Sequence, residues 1–170
     1  ISAASKLDSD LSKDELQRIN TNKLISGLVD IRKTSLKGIK ILLNLHQQVY
    51  IMGNEDRLVQ VLDNLIANAI SFSPQKGTIT FTSLTQNGKV HISVMDQGPG
   101  IPESKLNTIF ERFYSERPQG EEFGTHTGLG LSIVKQIINA HDGSVYAENV
   151  YGKNNNILGS KFTFILTIVS

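Results

Sequence analysis

Apolar and polar residues alternate along this chain with two different periods, and together they predict an α+β protein. Apolar residues recur at helical spacing over 21–37, 55–72 and 131–138, and period-two alternation predicts hairpins over 77–95 and 144–169. Shorter strands are predicted near 16–20, 39–45 and 49–52, with a polar loop over 151–159 and a last strand over 161–169. This order favours a two-layer α+β sandwich, in which about three helices cover one face of a mixed five-stranded sheet.

The composition narrows the class of protein. The chain has 170 residues, enough for one domain with a sound core, and its formal net charge of +1 gives no reason to expect a nucleic-acid partner. It contains no cysteine, which excludes disulfides and thiolate chemistry, and no apolar run long enough to cross a bilayer. Because the sequence opens on Ile1 without an initiator methionine, we expect it to be part of a longer protein.

A glycine cluster over 124–130 precedes the third predicted helix. Gly128 and Gly130 lack a β-carbon, so the main chain there can come close to a ligand. Free N–H groups and the positive end of the helix dipole meet at a helix N-terminus, which suits an anion. The cluster favours a phosphate-binding role, and its alternative is an ordinary glycine-rich turn before a surface helix.

Asp96 follows directly after the strand predicted over 89–95, and Gly98 and Gly100 come next. A carboxylate at the end of a strand can accept a hydrogen bond from an exocyclic amine such as that of adenine. The alternative is a solvated aspartate that starts a turn, which is the commoner fate of Asp-x-Gly. Only its combination with the glycine cluster favours a nucleotide site.

Amide side chains step along the second predicted helix beside its apolar stripe. Gln60, Asn64 and Asn68 are four residues apart and therefore lie on one line. A Mg²⁺ ion that already carries phosphate oxygens and waters readily accepts amide oxygens as ligands. The alternative is that these side chains cap or bridge backbone groups.

Four segments resemble, in order, the motifs of the catalytic ATP-binding domain of bacterial sensor histidine kinases, whose Bergerat fold is shared with DNA gyrase B, Hsp90 and MutL. The N, G1, F and G2 boxes of that family are matched by 60–69, 96–100, 110–114 and 128–131. The resemblance implies an ATP-binding catalytic domain over 13–170. It also implies that 1–12 is a linker or the end of the dimerisation helix that carries the phosphoacceptor.

Carried over residue by residue, the resemblance implies binding of Mg²⁺ and ATP. Asn68 is expected to be the main metal ligand with Asn64 assisting it, so that both take part in catalysis. Asp96 is expected to hold the adenine amino group. The other nucleotide-binding residues implied are Phe72, Gly98, Gly100, Ile101, Phe110, Arg112, Tyr114, Thr127, Gly128, Leu129, Gly130, Leu131 and Ser160.

Residues 109–127 match the mobile ATP lid of the family. Arg112 and Arg117 are candidate phosphate contacts, because a guanidinium can pair with phosphate oxygens in a fork. An exposed lid arginine can equally be only solvated. The segment 113–118 most resembles sensor kinases of the acid- and envelope-sensing type in alphaproteobacteria.

One position bears on the reaction class. In the gyrase and Hsp90 branches a glutamate stands where this chain has Asn64, and it can act as general base for water, whereas an amide cannot take up a proton at neutral pH. The resemblance therefore implies transfer of the γ-phosphoryl group to a histidine on a separate dimerisation domain, for relay to a response regulator. The parent protein would be a membrane-anchored homodimer of the inner membrane, with this domain in the cytoplasm.

The phosphoacceptor histidine is not expected within this chain. None of His46, His91, His126 and His141 has the family's phosphoacceptor setting, and His141-Asp142 coincides with a predicted helix stop.

The chain also departs from the family pattern. Ser71 and Phe72 stand where the family often has lysine and tyrosine, so a phosphate-contacting lysine is lost and Lys76 is a candidate substitute. Two other functions stay open. One is a regulatory module that reports nucleotide occupancy without effective transfer, and the other is a gyrase-like or Hsp90-like ATPase.

Overall fold

Three α-helices alternate with seven β-strands in the computed structural model, which describes residues 15–36, 38–73, 77–111 and 129–170. The helices are α1 (Thr21–Arg32), α2 (Glu55–Phe72) and α3 (Leu129–Ala140). The strands are β1 (Gln17–Asn20), β2 (Lys40–Leu45), β3 (Tyr50–Gly53), β4 (Thr78–Gln86), β5 (Lys89–Met95), β6 (Ser144–Tyr151) and β7 (Ile157–Thr167). Short 3₁₀ turns occupy Lys33–Ser35, Glu103–Lys105 and Thr108–Phe110.

Five of the strands form one mixed sheet in the order β2-β4-β5-β7-β6. β2 runs parallel to β4, and the other neighbouring pairs are antiparallel. β1 and β3 form a separate antiparallel ribbon, which a bridge between Tyr50 and Val169 joins to the end of the chain. The predicted α+β class and the mixed five-stranded sheet are therefore confirmed.

One face of the sheet is apolar because its side chains alternate along each strand. On β4, buried Ile79 and Phe81 are separated by half-buried Thr80. On α2 the buried stripe comprises Leu58, Val61, Leu62, Leu65, Ile66 and Ala69. These residues belong to one hydrophobic cluster with apolar side chains of β5, β7 and α3, so the helices cover this face.

Two boundaries differ from the expectation. α1 ends at Arg32 and not at 37, because Lys33–Ser35 tighten into a 3₁₀ turn and Gly38 then takes a φ of +81°. The polar loop expected over 151–159 is shorter than predicted, since β6 extends to Tyr151 and β7 begins at Ile157. A short turn closes this hairpin, in which the Gly152 N–H donates to the Asn156 carbonyl at 2.8 Å. Polar residues on either side can therefore pair as strands.

His141 joins the end of α3 to the start of α2. Its Nδ1 donates to the Ile137 carbonyl at 2.8 Å, and its Nε2 accepts from the Asn54 N–H at 3.0 Å. Asn54 itself caps α2, because its side chain accepts from the Arg57 N–H at 3.0 Å. The interpretation of His141 as part of a helix stop is confirmed.

We expect His141→Leu to lower the free energy of unfolding by about 1–3 kcal/mol, because the Asn54 N–H loses its acceptor. Urea unfolding followed by circular dichroism measures the loss. His46→Leu, at an exposed position after β2, is the control and should change stability little. Equal losses in the two variants would contradict the bridging role.

Candidate functional site

Asp96 lies at the end of β5 with only 1% of its surface exposed. Its Oδ1 accepts from the N–H groups of Gly98 at 2.8 Å and Ser160 at 3.1 Å. The Asp96 N–H donates in return to the Ser160 carbonyl at 2.9 Å. In the described part of the chain no group donates to Oδ2.

Burial sets the charge state of this carboxyl. It raises the pKa of Asp96 above its ordinary value of 3.8, and the backbone hydrogen bonds from Gly98 and Ser160 oppose part of that rise. A ligand that donates a hydrogen bond to Oδ2 would favour the ionised form.

Two glycines allow backbone segments to meet around Asp96. A β-carbon on Gly98 would overlap the carbonyl oxygen of Phe72 at the end of α2. A β-carbon on Gly159 would overlap the main-chain carbonyl of Asp96. β5, β7 and the end of α2 can therefore approach one another here only because both positions lack a side chain.

Hydrogen bonds with two other strands hold the loop that follows Asp96. Asn149 on β6 accepts from the Ile101 N–H and donates to the Ile101 carbonyl, both at 2.7 Å. Gln97 Oε1 accepts from the Thr78 N–H at 2.9 Å, at the start of β4. No local pattern in the sequence marks Asn149, Gln97 or Gly159, because their partners lie far away along the chain.

The two asparagines of α2 have different surroundings. Asn68 is 5% exposed, and Asn64 is half-buried. Asn64 Nδ2 donates to the Gly130 carbonyl in the first turn of α3 at 3.0 Å. Asn64 thus bridges to a backbone group, which was the alternative reading of these amides, and it links α2 to the start of α3.

The start of α3 has room on its outer side. A β-carbon built on Gly130 meets nothing within 4 Å in the described part of the chain. Leu131 packs, half-buried, against the hydrophobic core and fixes the first turn. Leu131 thus anchors this helix N-terminus to the hydrophobic core.

Phe110 and Ile101 lie on the core side of the site. The Phe110 ring is 6% exposed and meets the Phe162 ring edge-on, with 6.2 Å between ring centroids and 76° between planes. Ile101 is half-buried against the same core. The contacts described for Phe110 anchor the segment that precedes residue 112, and Phe72 is half-buried at the end of α2.

Several predicted site residues lie outside the described ranges. They are Arg112, Tyr114, Thr127 and Gly128, together with Arg117, Lys76 and most of the predicted lid. The Leu129 side chain also lies outside the described part of the structure. In the part of the chain that the structure describes, no three or more histidine and acidic side chains gather as a metal site. The same ranges hold no helix long and apolar enough to span a membrane.

The family described as histidine kinase-, DNA gyrase B- and HSP90-like ATPase matches residues 53–169, a segment that includes every feature of the site above. The chain belongs to this family.

The sensor protein ChvG of Rhizobium meliloti is 39% identical over 98% of this chain, which spans 30% of that protein's length. The catalytic domain of the histidine kinase ThkA is 31% identical and superimposes with a TM-score of 0.77, covering 91% of this chain and 97% of that one. ThkA solved in complex with the response regulator protein TrrA is 27% identical with a TM-score of 0.76, over 98% of this chain and 46% of that one.

These similarities confirm the predicted resemblance to the ATP-binding domain of sensor histidine kinases, including the alphaproteobacterial type. The chemistry of the residues around Asp96 suits a purine nucleotide. Asp96 offers one carboxylate oxygen, and Gly98 and Gly159 allow the backbone to close around it where a β-carbon would overlap main-chain atoms. Asn68 has a neutral oxygen of the kind that Mg²⁺ accepts. The residues present therefore fit Mg²⁺ and ATP.

We expect Asp96→Asn to weaken ATP binding by roughly 10- to 100-fold while the chain stays folded. An asparagine can keep Oδ1 as acceptor for Gly98 and Ser160, which turns the other end of the side chain into an N–H donor facing the adenine amino group. Calorimetric titration with ATP and inosine triphosphate measures the effect. Inosine carries an oxygen at this position, so the preference for ATP should shrink or reverse in the variant. An unchanged preference would contradict the assignment.

The same variant tests the raised pKa of Asp96. Because the folded pKa lies above the unfolded value, the stabilising contribution of this carboxyl is present below pH 3.8 and is lost as pH rises through the folded pKa. Asp96→Asn should therefore unfold at a higher temperature than wild type near about pH 7, and the gap should narrow as pH falls toward about 4. Thermal unfolding without nucleotide measures this, and a gap independent of pH would count against it.

Proposed function

We propose that this chain binds Mg²⁺ and ATP and donates the γ-phosphoryl group to a histidine on a separate dimerisation domain. The phosphoryl group then passes to a response regulator. The sensor-kinase similarities support this, and the ThkA complex supports a response regulator as partner. We further propose that the parent protein is a membrane-anchored homodimer of the inner membrane and that this domain lies in the cytoplasm. Residues 1–12 then form the end of the dimerisation helix or a linker.

The observation that carries the choice of reaction is the hydrogen bond from Asn64 to Gly130. The side chain is a carboxamide whose N–H₂ donates to the Gly130 carbonyl at 3.0 Å, so it presents no basic nitrogen or carboxylate to a water molecule. A hydrolase of this fold would need a general base at that place. Transfer to a positioned histidine needs no such base on this domain, because phosphoryl transfer depends on positioning and charge stabilisation.

Different residues of the site contact the adenine, the metal ion and the phosphates. Asp96 accepts from the adenine amino group, and Gly98, Gly100, Ile101, Phe72 and Ser160 shape the base pocket. Asn68 ligates Mg²⁺, and Asn64 assists through the contact that fixes the start of α3. Gly128, Leu129, Gly130 and Leu131 meet the phosphates at the helix N-terminus. Arg112, Tyr114, Thr127 and Phe110 belong to the lid and its anchor.

The test combines this chain with a separately produced dimerisation domain of the parent protein. With Mg²⁺ and γ-labelled ATP, we expect label on the dimerisation domain that is stable to alkali and labile to acid. Asn68→Ala should abolish labelling, and Asn44→Ala, on an exposed part of β2, should not. Rapid phosphate release by this chain alone would instead indicate an ATPase. Nucleotide binding without labelling would indicate a regulatory module.

A further inference from the structure

Asn149 makes an unusual pair of contacts for a side chain on an edge strand. It is 8% exposed, and its carboxamide forms hydrogen bonds with both main-chain groups of Ile101, which lies 48 positions earlier in the chain. Oδ1 accepts from the Ile101 N–H and Nδ2 donates to the Ile101 carbonyl, each at 2.7 Å. Because the two main-chain groups differ, they fix which end of the amide is oxygen and which is nitrogen.

No other side chain of this size can make the same pair of contacts. A carboxamide carries one acceptor and one donor on adjacent atoms, so it pairs with a peptide much as a neighbouring strand would. A carboxylate lacks the donor, and a hydroxyl is too short to reach both groups. A leucine has nearly the same shape but would leave both groups of Ile101 without their partner.

This pair of hydrogen bonds between Asn149 and Ile101, called the clamp below, lies beside the Asp96 carboxylate. Asn149 is paired across the sheet with Ser160, whose N–H donates to Asp96 Oδ1 at 3.1 Å. The residue before Ile101 is Gly100, whose φ is +87° and whose β-carbon would lie 2.8 Å from Asn149 Oδ1. The loop from Asp96 to Ile101 is therefore held at one end by Ser160 and at the other by Asn149.

We propose that Asn149 is a positioning residue that holds this loop in its binding conformation and so sets the affinity and selectivity of the site for adenine. It acts through Ile101 and Gly100, which fix the path of the chain after Asp96. This inference rests on the proposed nucleotide-binding function. If the clamp is lost, the loop must be ordered at the moment of binding, and affinity falls by the cost of that ordering.

The experiment compares Asn149→Leu with wild type in the isolated 170-residue chain. We expect calorimetry to show that affinity for the β,γ-imido analogue of ATP falls about 10-fold. The ratio of the affinity for ATP to that for inosine triphosphate should fall toward one. Asn154→Leu, at an exposed position in the turn of the same hairpin, is the matched control and should leave both unchanged. Should the leucine variant fold poorly, Asn149→Ser removes the same pair of contacts with less bulk.

Hydrogen exchange at the Ile101 amide separates positioning from plain stability. We expect faster exchange there in the Asn149 variants, with the amides of β4 and β5 still protected at a temperature well below unfolding. A lower melting temperature with unchanged affinity, selectivity and Ile101 exchange would overturn the inference and leave the proposed function intact. A wild-type chain that takes up no nucleotide would overturn both, whatever the exchange data show.

Discussion

The structure of the site depends on burying the Asp96 carboxylate, which has no cationic partner among the described residues. In the described part of the chain, Asp96 is held by main-chain N–H groups alone, and these only partly offset the cost of removing its charge from water. A fold that had only to be stable would place an apolar or amide side chain here. The carboxylate is retained at a cost in stability, and such a cost is typical of groups that act on a ligand.

This burial explains why glycines concentrate around Asp96. For Gly98 and Ser160 to reach Oδ1, the ends of β5, β7 and α2 must come within backbone contact. Gly98 and Gly159 are the positions at which a β-carbon would prevent that approach. The sheet order follows the same requirement, because β5 and β7 are direct neighbours and bring Asp96 opposite Ser160 although the two are 64 positions apart.

Local patterns in the sequence were sufficient for the fold class, the core-facing stripe of α2, the hairpin over 77–95 and the helix stop at His141. Each of these depends on side-chain period or on turn chemistry within a few residues. The bounds predicted for the loop over 151–159 were wrong, because local polarity does not exclude a strand. Polar residues at the end of β6 still pair with β7. The clamp between Asn149 and Ile101 could not be found in this way, because it joins residues distant in sequence and one partner contributes only its main chain.

The Asn64 contact couples the two ends of the site. α2 carries Asn68 and ends at Phe72 beside Gly98, while α3 begins at the glycines proposed to meet phosphate. A hydrogen bond between the side chain of Asn64 and the Gly130 carbonyl fixes the distance between these two helix segments. A carboxylate at the same place would be repelled by that carbonyl, so the residue that would supply a general base would also loosen α3 from α2. In this chain the amide therefore holds the start of α3 against α2, and its lack of basicity follows from the same choice of residue.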